Sequence, residues 1–183
     1  MSNRTCGECN LCCKVERVAA LEKPVGVWCR YSRAKVGCTI HGQHPVECQE
    51  FACVWLANEN IGEEWKPSKS RFVLRRELAG AGVSIGIDVD PGFPNAWKDP
   101  RYYWQIKQWS EVAAAGTGRV LVYIGGTVWA VFPQEDLLIG EHRRGDQLAI
   151  GLHRGSGWVQ PSVRIRSEGS EREVLGSRWP VAG

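Results

Sequence analysis

The chain has 183 residues, of which 43% are apolar and 23% are charged, as is usual for one globular domain with a sizeable core. No stretch reaches the roughly 18 apolar residues that a transmembrane helix needs, and the opening sequence MSNRTCGECN lacks the apolar core of a secretory signal. We therefore expect no membrane contact and a cytoplasmic location. The formal charge of +3 is too small to predict a nucleic-acid partner.

Cysteines are confined to the first third of the chain. All eight lie between Cys6 and Cys53, and the rest of the chain contains none. In a chain without an export signal the thiols are expected to stay reduced, so metal binding is favoured over disulfide bonds. We predict a metal-binding segment over residues 1–60. Apart from one short helix predicted between Val15 and Pro24, it has little apolar periodicity, so bound metal is expected to stabilise it.

The first cysteine group is a C-x2-C-x2-C-C motif made of Cys6, Cys9, Cys12 and Cys13. Two residues between cysteines let a tight turn bring both sulfurs onto one metal centre, and the run C-x2-C-x2-C also occurs in iron–sulfur proteins. Neighbouring side chains on a helix or strand point in different directions. We therefore expect three of these thiolates at one centre and one of Cys12 and Cys13 elsewhere.

The second cysteine group is spread more widely, with eight, nine and four residues between its members Cys29, Cys38, Cys48 and Cys53. Such ligands come from separate loops that fold back onto the first group. The eight thiolates could fill two four-sulfur sites, or one site with the remainder structural or free. His41 and His44 are possible nitrogen ligands, but solvated loop histidines are the favoured interpretation because thiolates are already in excess.

The spacing of the cysteines helps to distinguish a zinc site from an iron–sulfur cluster. Four thiolates suit both zinc and iron–sulfur clusters. The close first run and the surplus of cysteines favour a 4Fe–4S cluster, while the wide second group lacks the paired C-x2-C knuckles of a zinc ribbon. Trp28 and Trp55 flank the segment and are expected to shield the site from water.

Residues 61–155 are predicted to be α+β, with a small antiparallel sheet and one main helix. Strands are expected over residues 71–78, 82–90 and 147–154, with a turn at 79–82. Asp99 and Pro100 predict a helix start, and the apolar spacing predicts a buried face made of Tyr102, Ile106, Trp109 and Val112.

Further signals follow that helix. Gly125 and Gly126 predict a hairpin within residues 119–133. The turn at residues 141–146 carries Arg143 and Arg144, for which solvation is favoured over contact with an anionic partner. Residues 156–183 are rich in Ser, Gly and Arg, so we expect a frayed or disordered tail.

The cysteine pattern resembles the zinc- or iron-chelating domain family of CxxCxxCC cysteine-cluster proteins. The match covers CGECNLCC, then WC, then GCTIHGQHPVECQEFAC, roughly a third of the chain, and the later motif agrees at Cys38, Ile40, His41, Pro45, Cys48, Phe51 and Cys53. It departs at His44, where the family often has arginine. A flagellin lysine methylase carries a similar cluster that holds iron–sulfur, so the resemblance implies that iron–sulfur is possible here, without implying methylase residues.

Three functions remain open from the sequence. The first is an accessory or redox protein that holds the cluster and contacts a protein partner. The second is a cluster-dependent modifying enzyme, methylase-like or an oxidoreductase, for which Asp88 and Asp90 are candidate acid–base or cation-binding groups, although a solvated strand end and turn is favoured. The third is a zinc-stabilised interaction module or metal buffer, and a closed four-ligand site argues against easy exchange.

Overall fold

The computed structural model describes residues 3–77, 84–142 and 145–180. The architecture is α+β, as predicted, with more strand than helix. The turn predicted at residues 79–82 and the predicted solvation of Arg143 and Arg144 lie outside the described residues. Of the helices in the described ranges, none has both the length and the apolar composition to cross a membrane.

The cysteine-rich end is built from short elements. They are α1 (Cys12–Val15), β1 (Ser32–Arg33), β2 (Gly37–Cys38), α2 (Val46–Gln49), α3 (Val54–Ala57) and α4 (Pro67–Ser70). Apolar contacts join this end to the sheet that follows, because Leu11 and Val15 pack against Val73.

The prediction of a helix between Val15 and Pro24 is wrong. Helix α1 ends at Val15, and only one 3-10 turn, Ala19–Leu21, follows. The chain then reverses through Glu22, whose φ is 51°. The reversal lets the Lys23 ammonium donate hydrogen bonds to the carbonyl groups of Lys14 and Glu16, a contact that local apolar spacing does not encode.

The main sheet has five strands, in the order in which they occur along the chain. They are β3 (Phe72–Arg76), β4 (Ser84–Val89), β5 (Arg119–Ile124), β6 (Thr127–Val131) and β7 (Asp136–Glu141). The predicted antiparallel pattern is wrong at β4 and β5, which pair in parallel. Parallel neighbours need a crossover connection, and here the long helix α5 (Pro100–Ala115) supplies it. The hairpin predicted at Gly125 and Gly126 is confirmed as the β5–β6 turn.

Helix α5 begins where its capping residues predict. The Asp99 side chain accepts a hydrogen bond from the Arg101 backbone N–H at 3.0 Å, and Pro100 occupies the first helical position. The predicted face is only partly correct. The buried positions are Tyr102, Ile106, Ser110 and Ala113, Trp109 packs at their edge, and Val112 is 56% exposed.

Replacing Ile106 with alanine is expected to lower the free energy of unfolding by about 2–5 kcal/mol, because Ile106 is fully buried in the core beneath α5. The matched control is Val112→Ala on the exposed side of the same helix, which should leave stability nearly unchanged. Chemical denaturation of both variants gives the two values. Equal losses would contradict this assignment of the buried face.

The segment after Gly155 was predicted to be frayed or disordered, and the structure differs. It forms β9 (Trp158–Ser167), β10 (Ser170–Leu175) and β11 (Trp179–Pro180), which join β8 (Gln147–Gly155) in a four-stranded sheet. Val159, Val163 and Ile165 face inward and pack against the side of the main sheet opposite α5. Alternate arginines face solvent, which gives the segment its polar composition.

Candidate metal centre

All eight predicted cysteine ligands line a single cavity of about 510 Å³. They are Cys6, Cys9, Cys12, Cys13, Cys29, Cys38, Cys48 and Cys53, and every one is a free thiol. Cys6 and Cys53, which are 47 positions apart in the sequence, thus line the same cavity. The predicted folding-back of the second group onto the first is therefore present in the structure.

A tight turn and a short helix position the first cysteine group. The Cys9 backbone N–H donates to the Cys6 carbonyl at 2.9 Å, which closes the turn between them. Helix α1 then begins at Cys12. The Asn10 side chain donates to the Ser32 hydroxyl at 2.8 Å, so the turn is anchored to the β1–β2 hairpin.

Backbone contacts place the second group around the first. The Cys29 N–H donates to the Cys13 carbonyl at 2.9 Å, and the Ser32 N–H donates to the Cys29 carbonyl at 3.0 Å. Ser32 also pairs with Cys38 across the β1–β2 hairpin. Cys53 immediately precedes α3 and packs in the small apolar cluster that includes Cys12.

Cys12 and Cys13 are the first two residues of α1, and their thiols affect each other's ionisation. Interaction with the Cys12 thiol lowers the pKa of Cys13 to about 7, whereas interaction with Cys13, together with burial, raises the pKa of Cys12. The nearby ammonium of Lys23 also lowers the pKa of Cys13. Cys13 is therefore partly ionised near neutral pH, which makes it a ready metal ligand.

Burial has the opposite effect on other thiols of the cavity. It raises the pKa values of Cys6, Cys48 and Cys53, and neighbouring thiolates raise them further. Without a cation these sulfurs are protonated at neutral pH. A metal must displace those protons to bind, so metal affinity is expected to fall as the pH is lowered.

Lys23 is a buried cation near the cysteines that the sequence did not indicate. It is 6% exposed, and burial lowers its pKa, an effect that negative charge on the Cys29 and Cys13 thiols opposes. Its ammonium is held by the carbonyls of Lys14 and Glu16. A fixed cation beside two cysteines offsets part of the negative charge that ionised thiolates bring.

The two histidines also line the cavity, with ring centroids 4.9 Å apart. The Nδ1 atom of His44 is buried and has no hydrogen-bond partner among the described residues. Solvation, the favoured interpretation from sequence, does not account for this atom. Of the two tryptophans expected to shield the site, Trp55 is buried at the cavity wall, whereas Trp28 is 48% exposed.

The cysteines are not gathered tightly around a single point. Within residues 3–77, 84–142 and 145–180, no group of three or more His, Cys, Asp or Glu side chains is arranged to hold one metal ion. A tetrahedral zinc site needs four donors at about 2.0–2.3 Å from one centre. Among the described residues, the cysteines that line the cavity do not form such a sphere.

The two candidate catalytic carboxylates are buried in ion pairs, so the favoured interpretation of a solvated strand end is wrong. Asp88 accepts from the Arg75 guanidinium at 2.6 Å, and Asp90 from the Lys14 ammonium at 2.5 Å. Asp90 also accepts the Gly92 N–H at 2.8 Å. Lys14 directly follows Cys13, so the Asp90 pair ties α1 to the end of β4.

Glu16 is a partly buried carboxyl group on the cavity lining that the sequence did not indicate. Burial and the negative charge of Asp88 raise its pKa to about 8, and its side chain shares a hydrogen bond with Asp88. The carboxyl is therefore protonated at neutral pH and donates this hydrogen bond. Like the Lys14–Asp90 ion pair, this contact joins the chain at α1 to the end of strand β4.

The stability of the protein is expected to fall as the pH rises from about 5 to about 8, because the folded chain keeps a proton on Glu16 that the unfolded chain loses. The slope for one proton is about 1.4 kcal/mol per pH unit. Glu16→Gln, a neutral residue that still donates, should flatten the profile of unfolding free energy against pH. The exposed Glu22→Gln serves as the control, and identical slopes in all three proteins would contradict the assignment.

Comparisons with known proteins identified no relative of this chain. No protein-family model, no curated protein and no solved structure matches the chain.

Proposed function

We propose that this chain is a metal-binding protein whose N-terminal cysteines hold an iron–sulfur centre, and that it belongs to the CxxCxxCC cysteine-cluster proteins. The observation that carries the proposal is the convergence of eight free thiols on one cavity. Thiolates are the ligands that iron–sulfur clusters and structural zinc use. Free thiols also agree with a reducing, cytoplasmic location.

The close C-x2-C-x2-C run of Cys6, Cys9 and Cys12, and the lack of paired C-x2-C knuckles in the sequence, favour an iron–sulfur cluster over a single zinc ion. The alternative is a zinc-stabilised interaction module. It is favoured by the buried Nδ1 atom of His44, which has no hydrogen-bond partner among the described residues and is a nitrogen of the kind that binds zinc.

An iron–sulfur centre would supply one-electron transfer at this site. The chain contributes the ligands, the apolar wall made by Trp55 and Phe51, and the positive charge of Lys23. An accessory or redox role in the cytoplasm, with a protein as partner, is better supported than an enzyme, because Asp88 and Asp90 are held in ion pairs.

The test is the absorbance spectrum of protein purified without oxygen. We expect a broad band near the border of the visible and ultraviolet, which loses intensity when dithionite reduces the centre. A featureless spectrum from metal-replete protein would refute the iron–sulfur assignment, and one accompanied by bound zinc would favour the interaction module.

A further inference from the structure

We propose that two neighbouring loops beside the cysteine cavity form a docking surface for an acidic protein segment. The loops are residues 24–28 and 91–94, and their occupant is a segment that presents an apolar side chain flanked by carboxylates. This inference rests on the proposed role with a protein partner and names the chemistry of that partner. It does not depend on which metal the cysteines hold.

Exposed apolar side chains are concentrated on these two loops. Of the ten large apolar side chains that are exposed in the described part of the chain, four lie here, namely Val25, Val27, Trp28 and Phe93. Single exposed apolar residues are normal on a protein surface, whereas a cluster of them marks an interaction site. Tryptophan is also enriched among the few residues that contribute most to binding at protein interfaces.

Contacts between the two loops make them one surface. Gly26 lies so close to the Pro91 ring that a β-carbon there would be 3.3 Å from its Cγ atom. The Lys14 ammonium pairs with Asp90 at 2.5 Å and lies 5.4 Å from the centre of the Trp28 ring. Because Asp90 directly precedes the second loop, Lys14 holds both loops in place. A surface held in this way loses little conformational entropy when a partner binds.

The exposed charge beside the docking surface is positive. The Arg71 guanidinium lies 4.7 Å from the centre of the Phe93 ring. Arg30, two residues after Trp28, is exposed and lies over the ring of Tyr31. Among the described residues, neither guanidinium pairs with a carboxylate. A partner with acidic groups around an apolar centre therefore complements both the charge and the apolar character of this surface.

A hollow beside Phe93 offers a place for the apolar side chain of the partner. It has a volume of about 400 Å³. Its lining combines the Phe93 ring with three cationic side chains and one carboxylate, which are Lys69, Arg71, Arg101 and Asp99. A concave site favours an inserted protein side chain over a lipid surface. The surplus of cations disfavours a second copy of this chain, because like charges would face each other across the interface.

The docking surface adjoins the thiols of the candidate metal centre. Trp28 directly precedes Cys29, which lines the cavity, and Lys14 directly follows Cys13. A partner that binds over Trp28 is thereby placed against the wall of the cavity, where an accessory or redox role needs it.

Fluorescence anisotropy of a short labelled peptide tests this binding on the full chain, purified without oxygen. The peptide is rich in glutamate and carries a central Phe-Leu pair, and its matched control has glutamine in place of every glutamate. We expect saturable binding of the glutamate peptide that weakens as added salt screens the charges, and weaker binding of the glutamine peptide. Equal binding of the two peptides, or no binding of either, would overturn the proposal.

Variants of the chain locate the binding site. Phe93→Ala and Trp28→Ala should each weaken binding of the glutamate peptide about tenfold, and Arg71→Gln should reduce its advantage over the glutamine peptide. The matched control is Leu175→Ala, at an exposed apolar position on β10, which should leave binding unchanged. Wild-type affinity in both Phe93→Ala and Trp28→Ala would overturn the proposal.

The same proteins distinguish other occupants. Binding to vesicles of phosphatidylcholine and phosphatidylglycerol, without binding to the peptide, would overturn the proposal in favour of a membrane surface. Dimers in sedimentation that Phe93→Ala dissociates would overturn it in favour of a second copy. Absorbance spectra of these samples separate this inference from the proposed function. A chain with the iron–sulfur band that binds no peptide overturns the docking surface alone, and a chain that binds the peptide without the band overturns only the iron–sulfur assignment.

Discussion

Replacing Cys9 with serine is expected to remove the bound metal and to loosen the turn that carries Cys9. Cys9 is the middle ligand of its run and lies in a turn held by one backbone hydrogen bond to Cys6. Structural zinc sites contribute about 10–16 kcal/mol of apparent folding free energy, so the loss of bound metal is large on the scale of a whole domain.

Two measurements follow this change. Iron per chain should fall well below the wild-type value, and amide hydrogen exchange should accelerate in the cysteine-rich segment while remaining slow in α5 and the main sheet. Thr5→Ser, at an exposed position just before the motif, is the matched control and should change neither. Wild-type iron content together with wild-type exchange in Cys9→Ser would disprove the role of Cys9 as a ligand.

Replacing Asp90 with asparagine is expected to lower the free energy of unfolding by about 3–5 kcal/mol, because it leaves the ammonium of Lys14 without its buried partner. The carboxylate of Asp90 is only 5% exposed in this ion pair. Asparagine keeps an oxygen that can accept the Gly92 N–H, so the change isolates the charge. Since Lys14 adjoins Cys13, the variant should also release metal faster to a chelator.

The exposed pair Lys69–Glu63, with both side chains more than half exposed, supplies the control for Asp90→Asn. Glu63→Gln removes one partner of a solvated pair, which contributes little to stability. Thermal unfolding and chelator-driven metal release are the two readouts. Similar behaviour of Asp90→Asn and Glu63→Gln would show that the Lys14–Asp90 pair does not secure α1 to the sheet.

Elements specified by local chemistry could be predicted from the sequence. Helix α5 follows from the cap at Asp99 and the proline after it, and the β5–β6 hairpin follows from Gly125 and Gly126. Spacing also identified the cysteines, all of which line the cavity. Each of these signals depends on residues close together in the chain.

Features that depend on distant contacts could not be predicted. The parallel pairing of β4 and β5 is set by how α5 crosses the sheet. Strand β9 was missed because its inward valines and isoleucine alternate with arginine, so composition alone suggested disorder. The ammonium of Lys23 donates hydrogen bonds to the backbone carbonyls of Lys14 and Glu16. Nothing near Lys23 in the sequence indicates that contact.

The most direct test of the central claim is the elemental content of the chain isolated without oxygen from cells supplied with iron and zinc. The account predicts iron and acid-labile sulfide in equal amounts, with several iron atoms per chain and little zinc. Stoichiometric zinc without iron, or cysteines that stay free of metal, would contradict it.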